Sequence, residues 1–129
     1  MIQIDLQSRV PIYEQLINGI VRMKALGVLS GDEQLPSVRS LASDLGINPN
    51  TVAKAYQMLE ADGVIYSVTG KGSFISPEKG AVKAILENAE KTLKNGLADA
   101  FLLGVSKENA LKLLESAYNE TMKRGAAND

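Results

Sequence analysis

The sequence predicts an α+β fold that is mostly α: three short helices, a β-hairpin and two longer helices. Three observations predict it. Apolar residues recur at helical spacing on both sides of Gly46-Ile47, a link too short for anything but a tight bend. Two β-rich runs, residues 64–68 and 73–76, flank the loop Thr69-Gly70-Lys71-Gly72. After Pro77 the texture changes to two long amphipathic stretches that meet at Gly104.

Residues 2–6 (Ile-Gln-Ile-Asp-Leu) alternate, as a short strand or an extended arm would. Pro11 at a first helical position opens the first helix, Tyr13, Leu16, Ile17, Ile20 and Met23 form its apolar stripe, and Gly27 ends it. Ser30-Gly31-Asp32 reads as a turn. Ser37 caps the second helix, which carries Val38, Leu41, Ala42 and Leu45 at i, i+3, i+4 and i+7. Asn48 caps the third, and Pro49 fits its first position, where a missing N–H costs nothing. Val52, Tyr56 and Leu59 then point inward, leaving Asn50, Thr51 and Lys54 outward. Small polar groups and a cation on an exposed helix start are the residue chemistry of a helix that reads a DNA groove.

Two short helices joined by a glycine-containing bend form a helix-turn-helix by spacing, and the hairpin that follows makes residues 1–76 a winged helix-turn-helix domain. Lys71 sits at the wing tip between two glycines, where backbone approaches a phosphate closely. Residues 77–129 form the second region. Val82, Ile85, Leu86, Ala89, Leu93 and Leu97 make the first stripe, with Gly96 as its weak spot. Ser106 caps a last helix that carries Ala110, Leu111, Leu114, Ala117, Tyr118 and Met122. An antiparallel two-helix hairpin of this size is marginal alone. A second copy is therefore expected against it, with Ile85, Leu86, Ala89, Leu93, Leu111, Leu114 and Tyr118 as the dimerisation residues.

Composition narrows the chemistry. The 129 residues include no cysteine and no histidine, which removes disulfides, thiolate chemistry, Ser-His-Asp triads and the usual zinc ligands. The carboxylates Asp32, Glu33, Glu60, Asp62 and Asp99 sit singly in turns or on polar faces, and no glycine-rich phosphate loop links a strand to a helix. This argues against an enzyme, and neither a metal nor a cofactor is expected. No apolar run approaches the roughly 18 residues of a membrane span, and the start lacks the pattern of a signal peptide, so a cytoplasmic protein with no membrane partner is expected. Charge is nearly balanced: 14 basic residues face 15 acidic ones. Nucleic-acid binders are commonly basic overall, so here the local placement of Arg39, Lys54 and Lys71 has to supply the field.

The ordered motifs Leu35-Pro36-Ser37-Val38-Arg39, Leu41-Ala42, Leu45-Gly46, Asn48-Pro49-Asn50-Thr51-Val52, Lys54-Ala55-Tyr56, Leu59-Glu60, Gly63 and Gly70-Lys71-Gly72-Ser73-Phe74 resemble the GntR family of bacterial transcriptional regulators. The short two-helix C-terminus is similar to the YtrA-type branch. The resemblance implies a homodimer that binds a palindromic operator in double-stranded DNA, usually as a repressor. It implies DNA contacts by Arg39, with Ser37 at the same helix start, by Asn48, Asn50 and Thr51 on phosphates and base edges, and by Thr69, Gly70 and Lys71 at a wing tip that enters the minor groove. Many relatives carry arginine where this chain has Pro49 and Ala53; Lys54 is the partial substitute, and reading is expected to lean on Arg39, Asn50 and the wing. Two alternatives stand beside this: a protein-interaction module built on a winged helix, and a regulator with a small-molecule effector site in the C-terminal region.

Overall fold

The computed structural model describes residues 2–127, with side chains through residue 123. In chain order it contains α1 (Ile12–Ala25), α2 (Val38–Leu45), α3 (Pro49–Ala61), β1 (Ile65–Val68), β2 (Gly72–Ile75), α4 (Gly80–Leu102) and α5 (Lys107–Ala127). The mostly helical plan with a small antiparallel sheet is as the sequence predicts. Residues through Lys83 form one compact unit and those from Ala84 a second. The sequence placed the division at 76/77; the first turn of α4 belongs to the first unit because Val82 is buried there.

The first unit is assembled around α3. Its inward residues Val52, Ala55, Tyr56 and Leu59 are all buried, and α1 and α2 both pack on it, as does β1. Leu16 and Ile20 of α1, Val64 and Ile75 complete the fully buried set. Val21 is buried as well, so the inner face of α1 is wider than the stripe read from spacing. Pro11 stands one residue before its expected place: the helix starts at Ile12, and the Pro11 carbonyl accepts from Gln15 N–H at 3.1 Å.

The N-terminal residues take the arm option, not the strand. Gln15 holds the arm from both sides: its Oε1 accepts from the Asp5 N–H at 2.8 Å, and its Nε2 donates to the Asp5 and Val10 carbonyls at 3.0 and 2.8 Å. Between α2 and α3 the bend is closed as expected. Gly46 adopts φ +67°, and the Ile47 N–H returns to the Ala42 carbonyl at 3.0 Å, a glycine-dependent C-cap.

The hairpin pairs Ile65 with Ile75, Tyr66 with Phe74, Ser67 with Ser73 and Val68 with Gly72. This register puts Ile65 and Ile75 into the core, while Tyr66 and Phe74 stack on the other face, centroids 5.5 Å apart. Both rings are half-buried. Of the tyrosines, Tyr56 is the one that joins the core, as its place on the inward stripe of α3 predicts.

The sequence marks Ser30-Gly31-Asp32 as a turn, and a strand-like segment follows it that no sequence pattern announces. After Gly31, residues 32–35 run beside β2: Asp32 N–H donates to Ile75 O (2.7 Å), Ile75 N–H to Glu33 O (2.9 Å) and Leu35 N–H to Ser73 O (2.9 Å). Glycine is required at position 31, because a Cβ there would lie 2.7 Å from the Pro77 Cα. A single bridge, Gln34 to Phe74, is all the regular pairing this segment makes, too little for a period-two pattern to register in sequence.

The chain leaves the hairpin under a second restraint. Lys24 Nζ donates to the carbonyls of Val64 and Glu78, at 3.3 and 2.9 Å. Partial burial holds this ammonium below its ordinary pKa, and the Glu78 carboxylate opposes that shift.

In the second unit, α4 continues through Gly96, and α5 starts at a Ser106 cap whose Oγ accepts from Asn109 N–H at 3.0 Å. Gly104 takes φ +104°, as its predicted capping role requires. Leu97, Ala100, Val105 and Ala110, nearest the connection, are half-buried. Farther out the stripes lie open: Leu86, Leu93, Leu111, Leu114 and Tyr118 are each 46–60% exposed.

Tyr56 offers a stability test. Its hydroxyl donates to Pro36 O at 2.7 Å, and burial pushes the phenol from its ordinary value near 10 up to about 12. The native state holds this proton more tightly than the unfolded chain, so the associated stability is present below pH 10 and is lost as pH rises through about 12. Tyr56→Phe should lower the urea unfolding free energy at neutral pH by about 1 kcal/mol. It should also flatten the loss of stability on the alkaline side of pH 10.

Candidate nucleic-acid interface

The sequence nominated three places on the first unit, and each is built from local chemistry. At the start of α2, Ser37 Oγ accepts from the Ser40 N–H at 3.1 Å, which leaves Arg39 in the first turn. Arg39 is exposed. Among the described residues the Arg39 guanidinium has no ion pair, neither with Asp44 nor with Glu60.

At the start of α3, Asn48 Oδ1 accepts from Asn50 N–H at 2.8 Å, and Pro49 fills the first position. One acceptor of Asn48 is thereby committed to the cap, while its amide N–H groups remain donors of the kind a phosphate takes. Asn50 is exposed and Thr51 half-buried beside it. Neither α2 nor α3 carries an acidic residue in its first turn, whereas α1 carries Glu14 there. The positive ends of both helix dipoles are thus left uncompensated, which favours an anion in front of them.

At the wing, the Lys71 N–H donates to the Val68 carbonyl at 2.9 Å, closing a four-residue turn through Thr69 and Gly70. Gly70 sits at the third position with φ +77°, the value a type II turn needs and side chains resist. Thr69, Gly70 and Lys71 are all exposed.

Four consecutive residues join these places. Gln34 Nε2 donates to the Lys71 carbonyl at 2.8 Å. The Leu35 N–H bonds Ser73 in β2, Pro36 O receives the Tyr56 hydroxyl of α3, and Ser37 caps α2. The wing tip, the middle of α3 and the start of α2 are therefore held through one short stretch of chain. Sequence reasoning missed Gln34, since a lone glutamine before Leu-Pro carries no pattern.

Lys54 differs from the other nominated cations. Its ammonium stands 3.8 Å from the centroid of the Tyr13 ring on α1, a contact that the helical stripe assignment of Tyr13 did not anticipate. The candidate dimerisation residues form a separate set. Ile85 is half-buried and Ala89 exposed, and with Leu86, Leu93, Leu111, Leu114 and Tyr118 they lie in the second unit.

A helix-turn-helix with two carboxylate-free helix starts, an exposed cationic wing tip and a polar tether between them defines a class: winged helix-turn-helix transcriptional regulators, which act on DNA. Residues 11–75 match the family of bacterial regulatory proteins named gntR. The chain belongs to the GntR family. It is 37% identical to the HTH-type transcriptional repressor YtrA of Bacillus subtilis over the whole of both chains, and so has the YtrA-type layout. A crystal structure of a transcriptional antiterminator from Listeria monocytogenes EGD-e superposes with a TM-score of 0.73 at 39% identity, covering 92% of this chain and 90% of that one. The AraR DNA-binding domain in complex with operator ORE1 gives a TM-score of 0.51 at 26% identity, covering 59% of this chain and 93% of that one.

Asn48→Asp separates capping from contact. Aspartate caps as well as asparagine, so folding stability should stay within about 0.5 kcal/mol of wild type. The added carboxylate at the front of α3 should cut DNA affinity about tenfold through like-charge repulsion. Thermal melts and fluorescence anisotropy on labelled operator read the two effects separately.

Proposed function

We propose that the protein is a sequence-specific repressor that binds a palindromic operator as a homodimer, with Ser37, Arg39, Asn48, Asn50, Thr51, Lys54, Thr69, Gly70 and Lys71 as its contact residues. The observation that carries this reading is the Gln34–Ser37 tether, which holds an unpaired arginine at a helix start and a lysine-tipped wing on one framework. Similarity to YtrA, a repressor, and to AraR, solved on its operator, supports the sign and the target.

In this reading the start of α3 enters the major groove. Phosphate contacts by the helix starts fix register, and a few side chains read base edges. Arg39 is the strongest candidate for a base, because a guanidinium can bond guanine O6 and N7 together. Lys71, a point charge on a glycine-flanked turn, suits a phosphate or the minor-groove wall. The near-neutral chain gives weak sequence-independent attraction, since counterion release scales with the phosphates neutralised. No catalytic step belongs to this reading. Its place of action is the cytoplasm, the compartment of bacterial DNA, and no described helix is long and apolar enough to cross a membrane.

The second copy is assigned to the open stripes of α4 and α5. Leucines and a tyrosine more than half exposed on both helices, including Leu93, Leu111, Leu114 and Tyr118, make an apolar surface of the kind that marks an interface. A C2 pairing of these faces covers them and presents two DNA-reading units to two half-sites. Half-sites one helical turn apart, roughly 34–36 Å, or a multiple of it, are then expected.

Two measurements test the reading. Selection of bound fragments by the purified protein should return an inverted repeat. On that repeat, Arg39→Ala should cost about 1–3 kcal/mol and relax preference at one base position, while Lys71→Ala should weaken all sequences alike and lower the salt slope by about 1. Binding that is indifferent to both changes would remove the residue assignment. For the assembly, Leu93→Glu with Leu114→Glu should shift sedimentation from dimer to monomer while the winged-helix unit keeps its tyrosine fluorescence.

A further inference from the structure

Lys54 is the single basic residue of α3, and its ammonium does not hang free in solvent: it lies over the Tyr13 ring at 3.8 Å. Tyr13 is in the first turn of α1, and α1 packs against α3. The Tyr13 hydroxyl makes its bond within α1, to Glu14 Oε1 at 3.3 Å, so the contact with Lys54 belongs to the ring itself. Asn50, Thr51, Gln57 and Met58, its neighbours one turn away on the helix surface, bring no charge. Whatever cationic contact α3 makes therefore depends on where one flexible side chain points.

We propose that Tyr13 is a positioning residue that presets the Lys54 side chain for a DNA backbone phosphate. The proposal rests on the DNA-binding reading above. A lysine on a four-carbon stem loses substantial rotamer freedom when its head group is fixed. A ring beneath the ammonium selects among those rotamers before DNA arrives, which removes part of that cost from the binding step. The ring takes one side of the ammonium, so the N–H donors on the opposite side remain for oxygen. An ammonium–phosphate bond is stronger than an exposed cation–π contact, so the ring guides the cation without withholding it.

A double-mutant cycle on the selected operator tests this. Tyr13→Phe keeps the ring and should bind as wild type. Tyr13→Leu keeps apolar bulk but loses the π face, and should weaken binding about two- to fivefold. In a Lys54→Ala background, Tyr13→Leu should cost nothing further. Tyr13→Trp, with the better cation–π face, should bind at least as tightly as wild type, and it keeps the question answerable if the leucine variant folds poorly. Equal losses from Tyr13→Leu in both backgrounds would make Tyr13 a packing residue and overturn the proposal. Tighter binding by Tyr13→Leu would also overturn it, since the ring would then be withholding the cation. Failure of the wild-type protein to prefer any DNA overturns the functional reading itself, before any variant is compared, and this inference with it.

Discussion

The fold of the first unit depends on how the chain crosses from α1 to α2. Residues 34–37 make four bonds in succession: to the wing tip, to β2, to α3 and to the first turn of α2. None is strong alone, since a protein hydrogen bond contributes about 0.5–1.5 kcal/mol net. Their value is geometric. A helix-turn-helix and a hairpin that merely shared a core could still shift against each other at their exposed ends, where few apolar contacts reach. Here those ends carry the residues proposed to contact DNA, and polar bonds from four consecutive residues hold them.

The same crossing explains which features were legible in the sequence. Caps at Ser37 and Asn48, the Gly46 bend and the Gly70 turn are local devices, each set by residues within three or four positions, and all were readable. So was the inner face of α3, because its spacing repeats. The edge segment 32–35 was not, because its partners lie about 40 residues away and it forms one bridge only. Gln34 and Tyr13 were missed for the same reason. One acts on a carbonyl 37 residues distant, and the other on a lysine across a helix–helix contact. A glutamine or a tyrosine in isolation carries no sign of such a partner. The resemblance in motif order supplied the family, but the tether and the cation–π contact exist only in the folded chain.

The two units also differ in how their apolar residues are used. The first has an ordinary closed core, in which Leu16, Ile20, Val52, Ala55, Leu59, Val64 and Ile75 are almost fully buried. The second exposes Leu102 and Leu103 at 87% and 88% and leaves the outer stripes of both helices open. Helices of this length gain most of their stability from packing, not from propensity. An exposed stripe at helical spacing is the surface that the proposed dimer covers. It is also the reason the spacing could be read correctly while burial could not: periodicity gives a face, and the occupant of that face is outside the sequence of one chain.

Electrostatics then narrows how the proposed dimer reads DNA. With 14 basic against 15 acidic residues, the protein has little long-range attraction to a polyanion, and α3 contributes one cation. Pro49 makes the start of α3 a well-formed helix end and at the same time gives up a side chain that could reach a base. What remains at that start is a pair of backbone-rich helix ends without carboxylates, together with asparagine and threonine. Such groups are short and demand close, well-registered approach. Lysines and arginines tolerate misplacement; caps and small polar groups do not. In the proposed dimer, affinity comes from holding several modest contacts in the correct relative positions, and the second copy raises the effective concentration of the other half-site. The tether at residues 34–37 and the ring under Lys54 are the kind of restraint a charge-poor DNA reader needs.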